Sequence, residues 1–232
     1  MPSYGKGSPI PKMNSRPLLL GHRGARKYAG ENSFSAFDLA LEHGCDGFEF
    51  DVRYTRDARC VVCHDSLYHR RRVACRSFSE LNLPCAEEVI RRYSSRAFLD
   101  IELKVLGDPG PILRCLTEVK AKMYILSSFL PEVLRSVARV DSRTPLGLIC
   151  ESPAQLRVWP TLPVHAVVMN WRLAEKNVVD EIHCAGKQVF VWTVNKRKTM
   201  ERFAALGVAG IISDDTKLLV ETLKDKNRLR RS

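Results

Sequence analysis

Two histidines, three carboxylates and two cationic side chains carry the chemistry this chain could do. His22 and Arg23 follow the apolar run Leu18-Leu19-Leu20 and precede Gly24. In Phe48-Glu49-Phe50-Asp51-Val52 apolar and acidic residues alternate. On a strand this puts Glu49 and Asp51 on one side and the apolar residues on the other. The segment from Phe98 to Val105 alternates in the same way, with Asp100, Glu102 and Lys104 facing away from Leu99, Ile101, Leu103 and Val105. His64 ends the short apolar run that begins at Cys60. Inward charges in a packed interior need partners or a metal. Glu49, Asp51 and Glu102 offer three hard oxygen donors, which suit Mg²⁺ or Ca²⁺ rather than zinc. Beside such a cation, Arg23 and Lys104 are natural clamps for a phosphoryl group. Imidazoles, with a pKa of roughly 6.5, suit proton transfer in both directions.

These residues need a frame, and the spacing of the remaining elements supplies one. Short apolar runs at 18–21, 48–52, 98–105, 123–129, 146–150, 166–169, 189–194 and 210–213 alternate with helical segments. Fully apolar strands separated by helices indicate a parallel sheet covered on both faces. The predicted helices include 33–43, 131–140, 173–185 and 196–206, the last with Asn195 as N-cap. The run Cys60–Cys63 is a ninth strand candidate. Its link to Val52 is too short for a crossover helix, so it must return antiparallel, as a hairpin turning near Thr55-Arg56-Asp57. Eight parallel strands then remain. The fold expected is a (β/α)8 TIM barrel, with a short antiparallel hairpin after strand 2 overhanging the C-terminal mouth, where such barrels place their chemistry.

A chain of 232 residues suits one such domain, over 18–223, with a flexible leader at 1–17 and a basic tail at 224–232. No secretory h-region precedes Leu18, and no run reaches the length of a membrane span, so a cytoplasmic location without stable membrane insertion is expected. The eight scattered cysteines read as free thiols, and the lone Cys60-x-x-Cys63 would point its sulfurs to opposite faces of a strand. A net charge of +11 favours anionic partners. The basic runs lack interleaved aromatics, which points to a small-molecule anion rather than nucleic acid. Oligomeric state stays open.

Taken in order, His22-Arg23-Gly24, Glu31-Asn32, Glu49-x-Asp51, His64-Asp65, Glu102-x-Lys104, Ser128-Phe129 and Trp192-Thr193-Val194-Asn195 resemble the glycerophosphodiester phosphodiesterase family. The terminal Gly210–Asp214 segment is similar as well, so the resemblance spans about residues 18–216. It implies hydrolysis of glycerophosphodiesters to an alcohol and sn-glycerol 3-phosphate with one divalent cation. His22 and His64 would be the acid–base pair, and Glu49, Asp51 and Glu102 the metal ligands. Glu31 would lie beside the metal. Arg23, Lys104, Glu31 and Asn32 would face phosphate or substrate, and Phe129 and Trp192 would wall the pocket. The expected route runs through a cyclic phosphate formed by the glycerol 2-hydroxyl and opened by water. Two rivals stand beside it: a lipid-directed phosphodiesterase of phospholipase D type, and a non-catalytic barrel binding anions or nucleic acid. The Asp65–Pro84 stretch is short and arginine-rich where many relatives carry a longer lobe.

Overall fold

The structure is a computed structural model, and it describes residues 16–224. Apart from Arg16, Pro17 and Lys224, the expected leader and tail lie outside the described residues. The elements run β1 (Leu18–Gly21), α1 (Phe34–Glu42), β2 (Gly47–Tyr54), β3 (Cys60–Val62), β4 (Leu67–Tyr68), β5 (Arg71–Arg72), α2 (Ala86–Tyr93), β6 (Phe98–Leu103), α3 (Gly110–Glu118), β7 (Tyr124–Ser128) and α4 (Pro131–Val140). They continue as β8 (Leu146–Cys150), α5 (Pro153–Leu156), β9 (Ala166–Asn170), α6 (Lys176–Cys184), β10 (Gln188–Trp192), α7 (Arg197–Ala205), β11 (Gly210–Ser213) and α8 (Thr216–Leu223).

Strands β1, β2 and β6 through β11 pair in parallel, and β1 meets both β2 and β11, closing the ring. This is a (β/α)8 barrel. The strand that had to be removed from the count, β3, pairs antiparallel with the end of β2, in register Val52↔Val62 and Tyr54↔Cys60. Its turn spans Thr55 to Arg59, with Ala58 at φ 57°.

Alternation separates two apolar layers. Leu19, Phe48, Phe50, Val52, Leu99, Ile101 and Leu103 pack outward against the helices. Leu20, Phe98, Ile125, Val168, Phe190 and Ile212 fill the barrel interior, where the Phe98 and Phe190 rings stack with centroids 6.0 Å apart. Gly210 allows that plug, since a Cβ there would meet Phe190 Cδ1 at 2.3 Å. Cys60 belongs to the outer layer and Cys63 to a separate cluster under the β4–β5 excursion, so the two thiols do not form one site.

Two helix starts differ from expectation. α6 begins at Lys176, because residues 171–175 turn back on Asn170 and Trp171 before the helix opens. α7 is capped at Lys196, not Asn195. The Asn195 side chain is instead held by Ser213 and Asp214 across the barrel rim.

Candidate active site

The mouth begins with a strained corner after β1. Arg23 (φ 54°) and Asn32 (φ 56°) are both left-handed, and Asn32 N donates to Arg23 O at 3.0 Å. Non-glycine residues in this region cost of order 1–3 kcal/mol each and persist where the surroundings fix them. Here they hold the two carboxylates of β2. Arg23 N donates to Glu49 Oε2 at 2.9 Å, and Asn32 Nδ2 donates to Asp51 Oδ2 at 2.8 Å. Gly24, at φ 80°, lets this corner press on α1, since a Cβ there would lie 2.7 Å from the Ala36 backbone.

Register does the rest, because Asp51 pairs with Glu102 across β2 and β6. Ligand oxygens of Glu49, Asp51 and Glu102 all lie within 4.8 Å of one another, and all three residues are buried. Glu49 Oε1 is buried without a hydrogen-bond partner. Burial and the neighbouring Asp51 and Glu102 push the Glu49 carboxyl well above its usual range. Burial and Asp51 bring Glu102 to about 7, and burial brings Asp100 to about 7 although Ser127 Oγ donates to it. Asp51 is buried too, yet Lys104, Arg23 and the Asn32 amide hold it below the ordinary value. Crowded, dry and oxygen-only, the trio fits a hard divalent cation, which would turn mutual repulsion into coordination.

The cations expected at the site are present and engaged. Lys104 Nζ lies 2.6 Å from Glu102 Oε1 and 3.3 Å from Asp51 Oδ1. Arg23 Nε is 3.2 Å from Asp51 Oδ2, and its guanidinium donates to Glu31 Oε1 at 2.8 Å. Glu31 is thus tied to Arg23 and to Arg26, at 3.0 Å, on the rim and outside the carboxylate trio. The Asn32 side chain donates to Asp51 Oδ2 and accepts from Asp51 N.

Both histidines line one cavity of about 470 Å³, together with Arg23, Glu49, Glu102 and Lys104. Its opposite wall is largely apolar, made by Phe129, Ile149, Val168, Trp192 and Ile212 together with Glu151 and Gln155. Phe129 and Trp192 meet edge to face at 5.7 Å, and the indole donates to Val168 O at 3.1 Å. His22 Nδ1 lies 2.7 Å from Asp214 Oδ1, and His64 Nδ1 lies 2.8 Å from Asp65 Oδ1. A carboxylate accepts, so each ring carries its proton on Nδ1 when neutral and leaves Nε2 as the base. His22 Nε2 is 3.9 Å from Glu49 Oε2. Burial lowers the His64 pKa, against the pull of Asp51 and Asp65. Asp214, in turn fixed by Asn195 Nδ2 at 2.7 Å, is a partner of His22 to which sequence reasoning gave no role. The His64-Asp65 adjacency was a usable signal, whereas nothing local links His22 to a residue just after the last strand.

Two further histidines serve the frame. His43 Nδ1 meets Thr216 Oγ1 at 2.7 Å, and His165 Nδ1 accepts from Leu146 N at 3.1 Å.

A barrel that gathers a hard-cation trio, two carboxylate-backed imidazoles and two cations at its C-terminal mouth belongs to the phosphoric diester hydrolase class. The model of the glycerophosphoryl diester phosphodiesterase family matches residues 22–95 and 79–218, and the chain belongs to that family. It is 27% identical over 252 residues to a glycerophosphodiester phosphodiesterase of Caldanaerobacter subterraneus, covering 90% of this chain and 98% of that one. Its fold matches a glycerophosphodiester phosphodiesterase of Agrobacterium tumefaciens with TM-score 0.79 at 21% identity, over 88% of this chain and 99% of that one. It also matches an Oleispira antarctica phosphodiesterase in complex with the product sn-glycerol 3-phosphate, with TM-score 0.75 at 20% identity, over 89% and 96% of the two chains.

Proposed function

We propose that the protein hydrolyses glycerophosphodiesters to an alcohol and sn-glycerol 3-phosphate, with His22 and His64 as the acid–base pair. The observation that carries this reading is the shared cavity: two imidazoles with Nδ1 fixed by carboxylates face the Glu49–Asp51–Glu102 trio across one space. Glu49, Asp51 and Glu102 would hold Mg²⁺ or Ca²⁺, which when bound polarises the phosphate and lowers the pKa of the attacking hydroxyl. Arg23 and Lys104 orient the anionic phosphodiester and offset its developing charge. One imidazole takes the proton of the glycerol 2-hydroxyl as its oxygen attacks phosphorus. The other gives a proton to the leaving alcohol. Water then opens the cyclic phosphate with the two roles exchanged, which returns each ring to its starting state. Asp214 and Asp65 keep both rings in the tautomer this exchange needs. Phe129 and Trp192 wall the space beside the phosphate and keep water out. The family match and the product bound to the Oleispira antarctica neighbour support the substrate class.

The test is turnover of glycerophosphodiesters, read by released sn-glycerol 3-phosphate, in chelator and after metal add-back. Activity should vanish in chelator and return with Mg²⁺ or Ca²⁺. Glu102→Gln should not be rescued by either ion, and its melting temperature without added metal should not fall, since one crowded carboxylate has gone. Full turnover in exhaustive chelator would overturn the reading.

A further inference from the structure

The mouth also carries a small lobe that hydrolysis does not use. β4 and β5 pair in register Leu67↔Arg72 and Tyr68↔Arg71. The turn between them sets His69 at φ 48° and Arg70 at φ 63°. Two successive left-handed residues make a type I′ hairpin, a place that favours Asn and Gly, so this turn holds its shape under strain. It displays Arg70, Arg71 and Arg72, all exposed, none at ion-pair distance from a carboxylate among the described residues. Leu67 is 52% exposed and Leu106, in the β6–α3 loop, 59% exposed. Leu67 pairs with Arg72 and so shares a face of the hairpin with it, and Arg72, Ser66 and Val105 line one cavity of about 370 Å³, which brings the neighbours of both leucines to one opening. The nearby carboxylates are turned to other partners, Asp65 to His64 and Asp108 to the Gly110 N–H, and the three arginines outnumber them. Chain reach keeps this surface close to the site: Leu67 lies within about 11 Å of His64, and Leu106 within about 7 Å of Lys104, Cα to Cα.

We propose that the β4–β5 lobe and the β6–α3 loop dock the barrel mouth on an anionic phospholipid surface. The arginines pair with head-group phosphates, and the two leucines enter the interfacial layer. Basic side chains around exposed aliphatic ones are the make-up of an interfacial contact. A single-stranded nucleic acid would ask for exposed aromatic rings, and here Tyr68 is half-buried against His69. No described helix is long and apolar enough to cross a membrane, and the contact proposed is a peripheral one. This goes beyond the hydrolytic reading, and docking can be measured without turnover.

The experiment is co-sedimentation of the full chain with vesicles of phosphatidylcholine alone and of phosphatidylcholine mixed with phosphatidylglycerol. Binding should appear only with phosphatidylglycerol and weaken as salt rises. A triple variant, Arg70→Gln with Arg71→Gln and Arg72→Gln, should lose on the order of a hundredfold in partitioning, at roughly fivefold per arginine. Leu67→Ser with Leu106→Ser should weaken binding roughly tenfold, including the part that survives salt. Both variants should keep the parent melting temperature and the turnover of soluble substrate. Equal binding to phosphatidylcholine alone, unchanged partitioning of the triple variant, or retention on an RNA oligonucleotide that ignores the leucine changes would each overturn the proposal. A protein that docks but does not hydrolyse would instead overturn the functional reading and leave this one standing.

Discussion

The two walls of the cavity are built on the same fold and do opposite things. The mouth ends of β1, β2 and β6 carry His22, Glu49, Asp51, Asp100 and Glu102, with Lys104 just beyond, while Leu20 and Phe98 fill the interior beneath them. On β8 through β11 the inward positions are Ile149, Val168, Phe190, Trp192 and Ile212. The carboxylates of the charged wall are costly: Glu49, Asp51, Asp100 and Glu102 are all buried, and their proton affinities are driven apart by which neighbour each one meets. Asp51 faces Lys104 and Arg23 and stays ionised, while Glu49 receives a backbone N–H and is crowded by carboxylates. The apolar wall costs nothing to bury and supplies the floor that lets the other be strained. Lys104 joins them, its ammonium 5.6 Å from the centroid of the Phe129 ring. Charge on one side and exclusion of water on the other make each ionic contact in the cavity stronger than it would be in water.

That division separates the kinetic effects of substitutions. Removing an imidazole from the charged wall should have the largest effect. His22→Ala and His64→Ala are each expected to lower kcat by about 10²–10⁴-fold, the usual contribution of one positioned acid or base. The double variant should be little worse than the worse single, because groups acting as one unit are non-additive. Steady-state rates of the three variants check this, and losses that multiply would argue against a shared mechanism.

On the apolar wall the expected effect is smaller and falls on a different constant. Trp192→Leu keeps the wall apolar but removes the edge-to-face contact with Phe129 and the bond to Val168 O. KM should rise by roughly tenfold with kcat within about twofold, the pattern of lost uniform binding. A fall in kcat equal to the fall in kcat/KM would place Trp192 in transition-state stabilisation and blur the contrast.

The charged wall was largely legible in the sequence and the apolar one was not. Alternation in Phe48–Val52 and Phe98–Leu103 is local, so Glu49, Asp51 and Glu102 could be set on one face before any fold was known. The impossibility of a helix between Val52 and Cys60 fixed the antiparallel return, which the Val52↔Val62 pairing matches. What required the closed ring was out of reach. Asp214 meets His22 only because β11 pairs with β1, and Asn195 fastens to Asp214 instead of capping α7 because β10 pairs with β11. Glu31 was placed beside the metal by resemblance alone. Its pairing with Arg23 and Arg26 is set by a left-handed corner that no periodicity announces. The strained hairpin at His69-Arg70 has no glycine or asparagine to signal it.

The smallest expected effect contrasts the two ends of the barrel through pH. At the mouth, Glu102 and Asp100 titrate near 7 in the fold, well above unfolded carboxyls. A raised folded pKa contributes stability below the unfolded value that is lost as pH rises to the folded one. Without added metal the protein should therefore lose stability between about pH 4.5 and 7. At the opposite end, His165 is lowered by burial, then by Lys187, and its Nδ1 must stay unprotonated to accept from Leu146 N. A lowered histidine contributes stability above about pH 6.5 that is lost as pH falls, the reverse slope. His165→Gln removes this opposing contribution, so urea midpoints measured across pH 5 to 7 should show a steeper loss with rising pH than the parent. The change cannot exceed about 1.4 kcal/mol per pH unit for one proton. Added Mg²⁺ or Ca²⁺ should stabilise more at higher pH, because the ligands bind only when deprotonated. It should reverse the slope set by the mouth while leaving the His165→Gln difference in place. If metal erased that difference as well, the two ends would be coupled, and the frame would not be the passive support that its packing describes.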